Sequence, residues 1–198
     1  MKERARVRAL LAAAPLACMP ALAHALEVEH VDTRYENGEY RLELTAVLDA
    51  PRDLVQRVVR DYQDYVHLDS RILEARVLGR PQPHLVELYT KLRMCFGPFC
   101  RNVRRVESVE ERTNELIATV VPDRSDVERG TTRTALYEKA GRTELHYSTQ
   151  IVPKVWIPAF VGRSLMLRTL REATLDLFRH VETRAREMPP PPERDEEA

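Results

Sequence analysis

The sequence predicts an α+β fold in which one curved antiparallel sheet packs against a long C-terminal helix. Two observations indicate the sheet: apolar and polar residues alternate in successive segments between residues 26 and 152, and short polar turns separate these segments. Such alternation is typical of half-buried strands, and short turns make consecutive strands antiparallel neighbours. A third observation indicates the helix, because an amphipathic pattern without proline runs over residues 159–187. Strands followed by one long helix favour an α+β over a doubly wound architecture.

The first 25 residues are predicted to be a secretory signal peptide. Four basic side chains and one acidic side chain precede an apolar run over 9–23, and a small-x-small cleavage pattern follows at 23–25. The apolar run contains two prolines and is shorter than a bilayer span requires. We therefore expect a periplasmic or secreted protein. The alternative is a form that a lipid on Cys18 tethers to the membrane, although the residues before Cys18 are a poor lipid-attachment signal.

The charge of the chain argues against a nucleic-acid partner. Without residues 1–25 the chain has 27 basic and 30 acidic residues, which gives a net charge of about −3. A weakly acidic protein lacks the basic surface that nucleic-acid binding requires. We interpret the local group Arg101, Arg104 and Arg105 as one solvated strand face.

The mature chain is predicted to begin with strands and a short helix. Residues 26–48 alternate, and Asn37-Gly38 divides them into either a hairpin or two segments of one edge. Pro51 suits the first turn of a helix, and the acidic Asp53 suits its positive end. Apolar side chains then recur every three to four residues over 54–59, as in an amphipathic helix.

Six further strands and the long helix complete a single predicted domain over residues 26–187. The predicted strands cover residues 72–78, 85–94, 101–109, 116–121, 130–138 and 143–152. The apolar stripe of the helix consists of Met166, Leu170, Ala173, Leu177 and Val181. Residues 188–198 form a proline-rich and acidic tail that cannot bury apolar area, so we predict that the tail is disordered.

Two cysteines follow the predicted cleavage site, and they are predicted to form a disulfide. Cys95 and Cys100 flank the turn signal Gly97-Pro98, and a secreted chain is expected to oxidise an even pair of cysteines. A disulfide that closes so small a loop stabilises local register more than the whole fold. The rival interpretation is a redox or metal pair, but the spacing and the lack of nearby histidine or cysteine ligands argue against it.

Two blocks of the sequence carry a resemblance to a known family. The first is Asp49-Ala50-Pro51 followed by Asp61-Tyr62-Gln63-Asp64-Tyr65, and the second is Thr143-Glu144-Leu145-His146-Tyr147 followed by Pro153, Ile157-Pro158 and the long helix. These blocks resemble the opening and the ending of START-like helix-grip proteins of the SRPBCC superfamily, which include the polyketide cyclase/dehydrase and coenzyme Q-binding branches, and the similarity covers roughly residues 40–185. The resemblance implies a sheet that grips the C-terminal helix, with a hydrophobic tunnel between them.

The apolar strand faces and the helix stripe would line such a tunnel. The alternative is a filled core without a cavity, because both arrangements need the same apolar faces. Aromatic side chains with a polar tip suit a pocket that orients a lipid or quinone headgroup, and the resemblance places the segment of Trp156 and Phe160 near the mouth. The predicted ligand-binding residues are Tyr62, Tyr65, Leu88, Met94, Tyr137, Tyr147, Trp156, Phe160, Met166 and Leu170.

The leading hypothesis is a binding or carrier protein for an apolar small molecule such as a lipid, isoprenoid, quinone or sterol-like compound. The sequence contains no serine-nucleophile elbow, zinc-protease or phosphate-loop motif, so no catalytic residue, metal or cofactor is assigned. Transient contact with a membrane or a lipid-transfer partner is compatible with this function. The alternative is a cyclase or hydrolase for an aromatic or polyketide substrate, which would need a polar residue such as His146, Arg168 or Glu172 in the tunnel. A third hypothesis is a protein-interaction module with a filled core.

Overall fold

Eight antiparallel strands form one sheet in the computed structural model, which describes residues 26–96, 99–154 and 162–189. The strands are β1 Glu27–Glu36, β2 Glu39–Leu48, β3 Ile72–Gln82, β4 Leu85–Phe96, β5 Phe99–Glu111, β6 Glu115–Val120, β7 Val127–Lys139 and β8 Arg142–Pro153. The helices are α1 Arg52–Arg60, α2 Tyr65–Leu68 and α3 Gly162–Glu187. The predicted signal peptide and most of the predicted acidic tail, over 190–198, lie outside the described residues.

The order of the strands explains how the chain surrounds its last helix. The sheet has the order β1-β2-β8-β7-β6-β5-β4-β3, so β1 and β3 are its two edges and the sheet does not close into a barrel. Strands β3 to β8 follow one another as antiparallel neighbours, whereas α1 and α2 carry the chain from β2 to the opposite edge. This arrangement confirms the predicted α+β fold, with a curved sheet and a long C-terminal helix.

Two tight turns set the register of the β1–β2 and β7–β8 hairpins. Asn37 and Gly38 have φ values of 51° and 84°, and Ala140 and Gly141 have φ values of 52° and 76°. Positive φ at both central residues is the geometry of the two-residue turn whose twist matches that of the flanking strands. The first of these turns joins β1 to β2, so of the two alternatives for residues 26–48 the hairpin is the one observed.

Strand β3 is longer than the sequence predicts. The turn signals near Gly79 predict that the strand ends there. The observed strand continues through Pro81 to Gln82, with register irregularities on both sides of Gly79. A proline removes a backbone donor, which is tolerated on an edge strand because that side of the strand has no partner. The position of β3 at the edge therefore explains why Gly79 and Pro81 do not end it.

The hydrophobic core lies at one end of the molecule, where the C-terminal half of α3 packs. Phe178, Val181 and Ala185 of α3 are buried against the apolar faces of α1, β2 and β8. The buried partners of these three residues include Leu42, Leu44, Leu48, Val55, Val58 and Leu145. The N-terminal half of α3 packs in a second, smaller cluster, where Met166 is buried beside Tyr40 of β2.

Candidate ligand-binding cavity

A cavity of about 890 Å³ lies between the concave face of the sheet and α3. This volume falls within the range of about 300–1,000 Å³ that small-molecule sites occupy. Side chains from β4, β5, β8 and the N-terminal half of α3 contribute most of its apolar wall. Apolar members of the wall include Leu88, Leu92, Met94, Ile151, Met166 and Leu170. A filled core, which the protein-interaction hypothesis requires, is not what the described residues form.

The apolar faces that the sequence predicts do face each other across this cavity. All five residues of the helix stripe line it, and so do alternate residues of β4 and of β8. The two surfaces stay apart because α3 packs at both its halves against α1, β1, β2 and β8, while the clusters formed mainly by β4, β5 and β6 contain no residue of α3. The space between them is therefore a consequence of the curvature of the sheet together with the packing of the helix toward one side of it.

Seven of the ten residues predicted to bind a ligand line the cavity. They are Tyr62, Tyr65, Leu88, Met94, Tyr147, Met166 and Leu170. Trp156 and Phe160 lie outside the described residues.

The prediction that Tyr137 lines the cavity is wrong. Tyr137 is 45% exposed, and its ring packs edge-on against the ring of His146, with 5.5 Å between the centroids. Thr132 and Thr134 of the same strand line the cavity. Because side chains alternate along a strand, residue 137 points to the opposite face. His146 is likewise on the outer face and does not line the cavity.

Two tyrosines after α1 form a rigid part of the cavity wall. The Tyr62 hydroxyl donates to Glu111 Oε1 at 2.7 Å, and the Tyr65 hydroxyl donates to the backbone oxygen of Val59 at 2.6 Å. Their rings meet edge-to-face, with 5.6 Å between centroids. Burial raises the pKa of both phenols, so both remain protonated at neutral pH. Because both hydroxyls already donate to protein acceptors, these residues shape the cavity wall and do not present a free hydrogen-bond donor to a ligand.

A set of polar side chains crosses the concave face of the sheet within this apolar wall. Its members are Thr90, Arg105, Glu107, Thr132, Tyr147 and Thr149. Thr90 on β4 is the cross-strand partner of Arg105 on β5, and Thr132 on β7 is the partner of Thr149 on β8. The Oγ1 atoms of Thr132 and Thr149 are hydrogen-bonded at 2.9 Å. Burial is the main cause that raises the pKa of the nearby Tyr147 phenol.

The charged pair in this set joins the buried Glu107 to the partly buried Arg105. Arg105 Nε lies 2.9 Å from Glu107 Oε2, and Glu107 is only 3% exposed. The N–H of Arg105 Nε does not point at a hydrogen-bond acceptor, so the contact is an ion pair without a linear hydrogen bond. A charge removed from water needs an opposite charge close by. Each member of the pair therefore stabilises the other in the cavity wall.

The interpretation of Arg101, Arg104 and Arg105 as one solvated face is wrong. Arg104 is exposed and binds Asp126, whereas Arg101 and Arg105 line the cavity. Val103 lines the cavity, and side chains alternate between the two faces of a strand, so the other odd-numbered residues of β5 face the cavity as well. The apolar Val103 and Val109 were a signal for this face, but Val106 is buried as well, so the alternation in the sequence was ambiguous.

The edge of the cavity is held by contacts between α2, β3 and α3. Arg71 binds both carboxylate oxygens of Asp69, and its Nη2 also donates to the backbone oxygen of Ala173 at 2.9 Å. Arg168 and Glu172 line the cavity from exposed positions of α3, and the described residues show no ion pair between them. They therefore lie at an exposed part of the cavity, and not inside the tunnel where the enzyme alternative would need a polar residue.

The predicted disulfide is present at the end of the β4–β5 hairpin. Cys95 and Cys100 are cross-strand partners, with an S–S bond of 2.04 Å and 4.0 Å between their Cα atoms. Both residues contribute to the boundary of the cavity, so the crosslink fixes the strand ends at this boundary.

Over the ranges that the structure describes, no α-helix combines the length and apolar character that a membrane crossing needs. The same ranges contain no cluster of three or more His, Cys, Asp or Glu side chains arranged to hold a metal ion.

Solved structures with the same fold are START-type proteins. The Zhui aromatase/cyclase from Streptomyces has a TM-score of 0.62 and 13% identity, over 75% of this chain and 94% of that chain. A START superfamily protein from Mycobacterium smegmatis has a TM-score of 0.60 and 15% identity, over 74% and 97%. A STAR-related lipid transfer protein from Xanthomonas axonopodis has a TM-score of 0.55 and 15% identity, over 76% and 98%.

The chain therefore has the helix-grip fold that these solved structures share. Neither a protein-family model nor a curated protein matches this sequence. At identities of 13–15%, the likeness to the solved structures concerns the fold.

Proposed function

We propose that this protein binds and carries a hydrophobic small molecule, such as a lipid, isoprenoid, quinone or sterol-like compound. The observation that carries the proposal is the cavity of about 890 Å³ between the sheet and α3. A ligand that fills it gains roughly 25 cal/mol for each Å² of apolar surface removed from water. Among proteins of the same fold, one is named a lipid transfer protein, which supports this proposal.

Native mass spectrometry tests the proposal directly. Protein purified from its own host should carry a bound apolar mass, and protein stripped of ligand should take up a mass from a lipid extract. Apo protein that takes up nothing would count against the proposal.

A cavity-filling variant links the bound mass to the cavity. Ala173 lines the cavity from α3, so Ala173→Phe should reduce uptake roughly tenfold or more, because its ring occupies space that the ligand needs. Arg171→Phe is the matched control on the same helix, since Arg171 is exposed and does not line the cavity. Equal uptake by the two variants would place the ligand elsewhere.

The proposed site of action is the periplasm or the secreted fraction. The charged start, apolar run and cleavage pattern of residues 1–25 support this location. Intact-mass measurement of the exported protein should find a chain that begins at Leu26. A lipid-modified chain that begins at Cys18 would support the tethered alternative instead.

An enzyme that acts on an aromatic or polyketide substrate is the second candidate function. The Arg105–Glu107 pair next to Tyr147 favours it, because charged and hydroxyl groups in an apolar cavity are suited to acid–base chemistry. One protein of the same fold is named an aromatase/cyclase. Turnover of a poly-β-ketone should then be lost in the charge-balanced variant Arg105→Met/Glu107→Gln. No product above the buffer background with the native chain would reject this candidate.

A further inference from the structure

The hydroxyl of Thr90 is a buried polar group without a partner. Thr90 is 2% exposed, and its Oγ1 has no hydrogen-bond partner among the described residues. It lines the cavity on β4 between Leu88 and Leu92, which face the same way. A buried hydroxyl that forms no hydrogen bond costs free energy, so such groups are usually satisfied in the functional state.

The charges around Thr90 restrict what can satisfy it. Its cross-strand partner Arg105 is already ion-paired with Glu107 at 2.9 Å, so this pair as a whole is neutral. A ligand carboxylate placed here would be attracted by Arg105 but repelled by Glu107, and a ligand ammonium would meet the reverse, so neither gains a net attraction from the pair. Either charge would lie in an apolar cavity without a counter-ion of its own, which is strongly unfavourable.

The other buried threonine hydroxyls of the wall, those of Thr149 and Thr174, do not compete for the same group. The hydroxyls of Thr132 and Thr149 bond to each other, and the Thr174 hydroxyl donates to the backbone oxygen of Leu170 at 2.9 Å. Among the described threonines that line the cavity and are fully buried, Thr90 is the one whose hydroxyl has no acceptor or donor nearby.

We propose that the ligand carries an uncharged oxygen function, a hydroxyl or a carbonyl, and that Thr90 selects it by a hydrogen bond beside the Arg105–Glu107 pair. This inference rests on the proposed binding function and narrows its ligand class. It excludes both pure hydrocarbons and fatty-acid-like carboxylates from the preferred ligands at this position.

A rigid three-ring series tests the inference at pH 7, with intrinsic probe fluorescence as the readout. The probes are phenanthrene, 9-phenanthrol and phenanthrene-9-carboxylate, which share one skeleton and differ in a single group. The native chain should bind the phenol about three- to tenfold more tightly than the hydrocarbon, as one net hydrogen bond provides. The carboxylate should bind most weakly of the three.

Isosteric variants assign the preference to one hydroxyl. Thr90→Val should bring the phenol and the hydrocarbon to equal affinity, while the thermal midpoint stays the same or rises because no protein hydrogen bond is lost. Thr90→Ser should restore the preference for the phenol. Thr174→Val is the matched control, since it removes a buried cavity hydroxyl that already has an acceptor, and it should leave the preference unchanged.

The outcomes separate this inference from the function on which it rests. Equal binding of phenol and hydrocarbon by the native chain, or a preference that survives Thr90→Val, overturns the inference and leaves the carrier function standing. Equal binding of phenol and hydrocarbon is also expected if a bound water already forms a hydrogen bond with the Thr90 hydroxyl. If none of the three probes binds, the inference is overturned, and uptake of a mass from the lipid extract then decides the carrier function separately.

Discussion

Single residues of α3 show how burial controls charge in this fold. Glu182 is 4% exposed, and its Oε2 has no hydrogen-bond partner among the described residues. The closest cation is Arg186, whose Nη1 is 3.9 Å from Glu182 Oε1 and 3.8 Å from Asp49 Oδ2. Burial raises the pKa of the Glu182 carboxyl; Arg186 opposes this effect and Asp49 adds to it. The folded protein therefore favours the protonated form of Glu182 more than the unfolded chain does.

The raised pKa of Glu182 makes stability depend on pH. Because the folded state binds the proton more tightly, the free energy of unfolding falls as the pH rises above the ordinary carboxyl range. Glu182→Gln should therefore raise the free energy of unfolding by about 1 kcal/mol at pH 7.5, and by less at pH 4.5. Urea denaturation at both pH values measures the difference.

The control for this prediction is Glu172→Gln, which changes an exposed carboxylate on the same helix. It should shift stability by less than about 0.5 kcal/mol at either pH. A Glu182→Gln variant that is less stable than the native chain at pH 7.5 would contradict the interpretation, because it would show that the Glu182–Arg186 contact outweighs the cost of burial.

At the scale of elements, contacts between Arg71 and α3 decide how the helix meets the β3 edge of the cavity. The guanidinium is bound to the Asp69 carboxylate, with 2.7 Å from Nη2 to Oδ2, and it also donates to the Ala173 backbone oxygen. Asp69 is 9% exposed, so its charge depends on this partner. The segment between α2 and β3 is thereby joined to the middle of α3.

Removal of this guanidinium should cost stability. Arg71→Met keeps much of the side-chain volume but leaves the Asp69 carboxylate without its cation, so we expect a loss of about 2 kcal/mol in urea denaturation. Hydrogen exchange of the α3 amides near Ala173 should become faster. Arg76→Met, at an exposed position of β3, is the control and should change stability by less than about 0.5 kcal/mol. Equal losses in the two variants would mean that the contact with α3 contributes nothing measurable.

At the scale of the whole molecule, the cavity results from uneven packing of one helix against one sheet. Phe178 and Val181 pack α3 into the main core, and Met166 packs beside Tyr40, whereas the apolar clusters of β4, β5 and β6 have no partner from α3 and line open space. Protein interiors are normally packed to the density of organic crystals. A void of about 890 Å³ in an 8-stranded fold is therefore a feature to which a function can be assigned.

Much of the candidate site could be predicted from patterns that are local in the sequence. Alternation along β4 and β8 identified Leu88, Met94 and Tyr147, and helical spacing identified Met166 and Leu170, because each of these faces has a fixed geometric period. Tyr137 was predicted from its aromatic ring, although the alternation along β7 directs its side chain to the outer face of the sheet. Thr90 was missed because a threonine on a strand is unremarkable until its partners are known.

Local sequence patterns predict the order of strands and helices, the turn at Asn37-Gly38, the disulfide pair and the apolar faces, since all of these depend on neighbours within a few residues. The three-dimensional packing is needed to show that the faces of sheet and helix stay apart, and that Arg105 and Glu107 point inward together. The reason is physical: a filled core and an open cavity need the same apolar side chains. A charged side chain likewise goes into the interior only where the fold brings its counter-charge beside it.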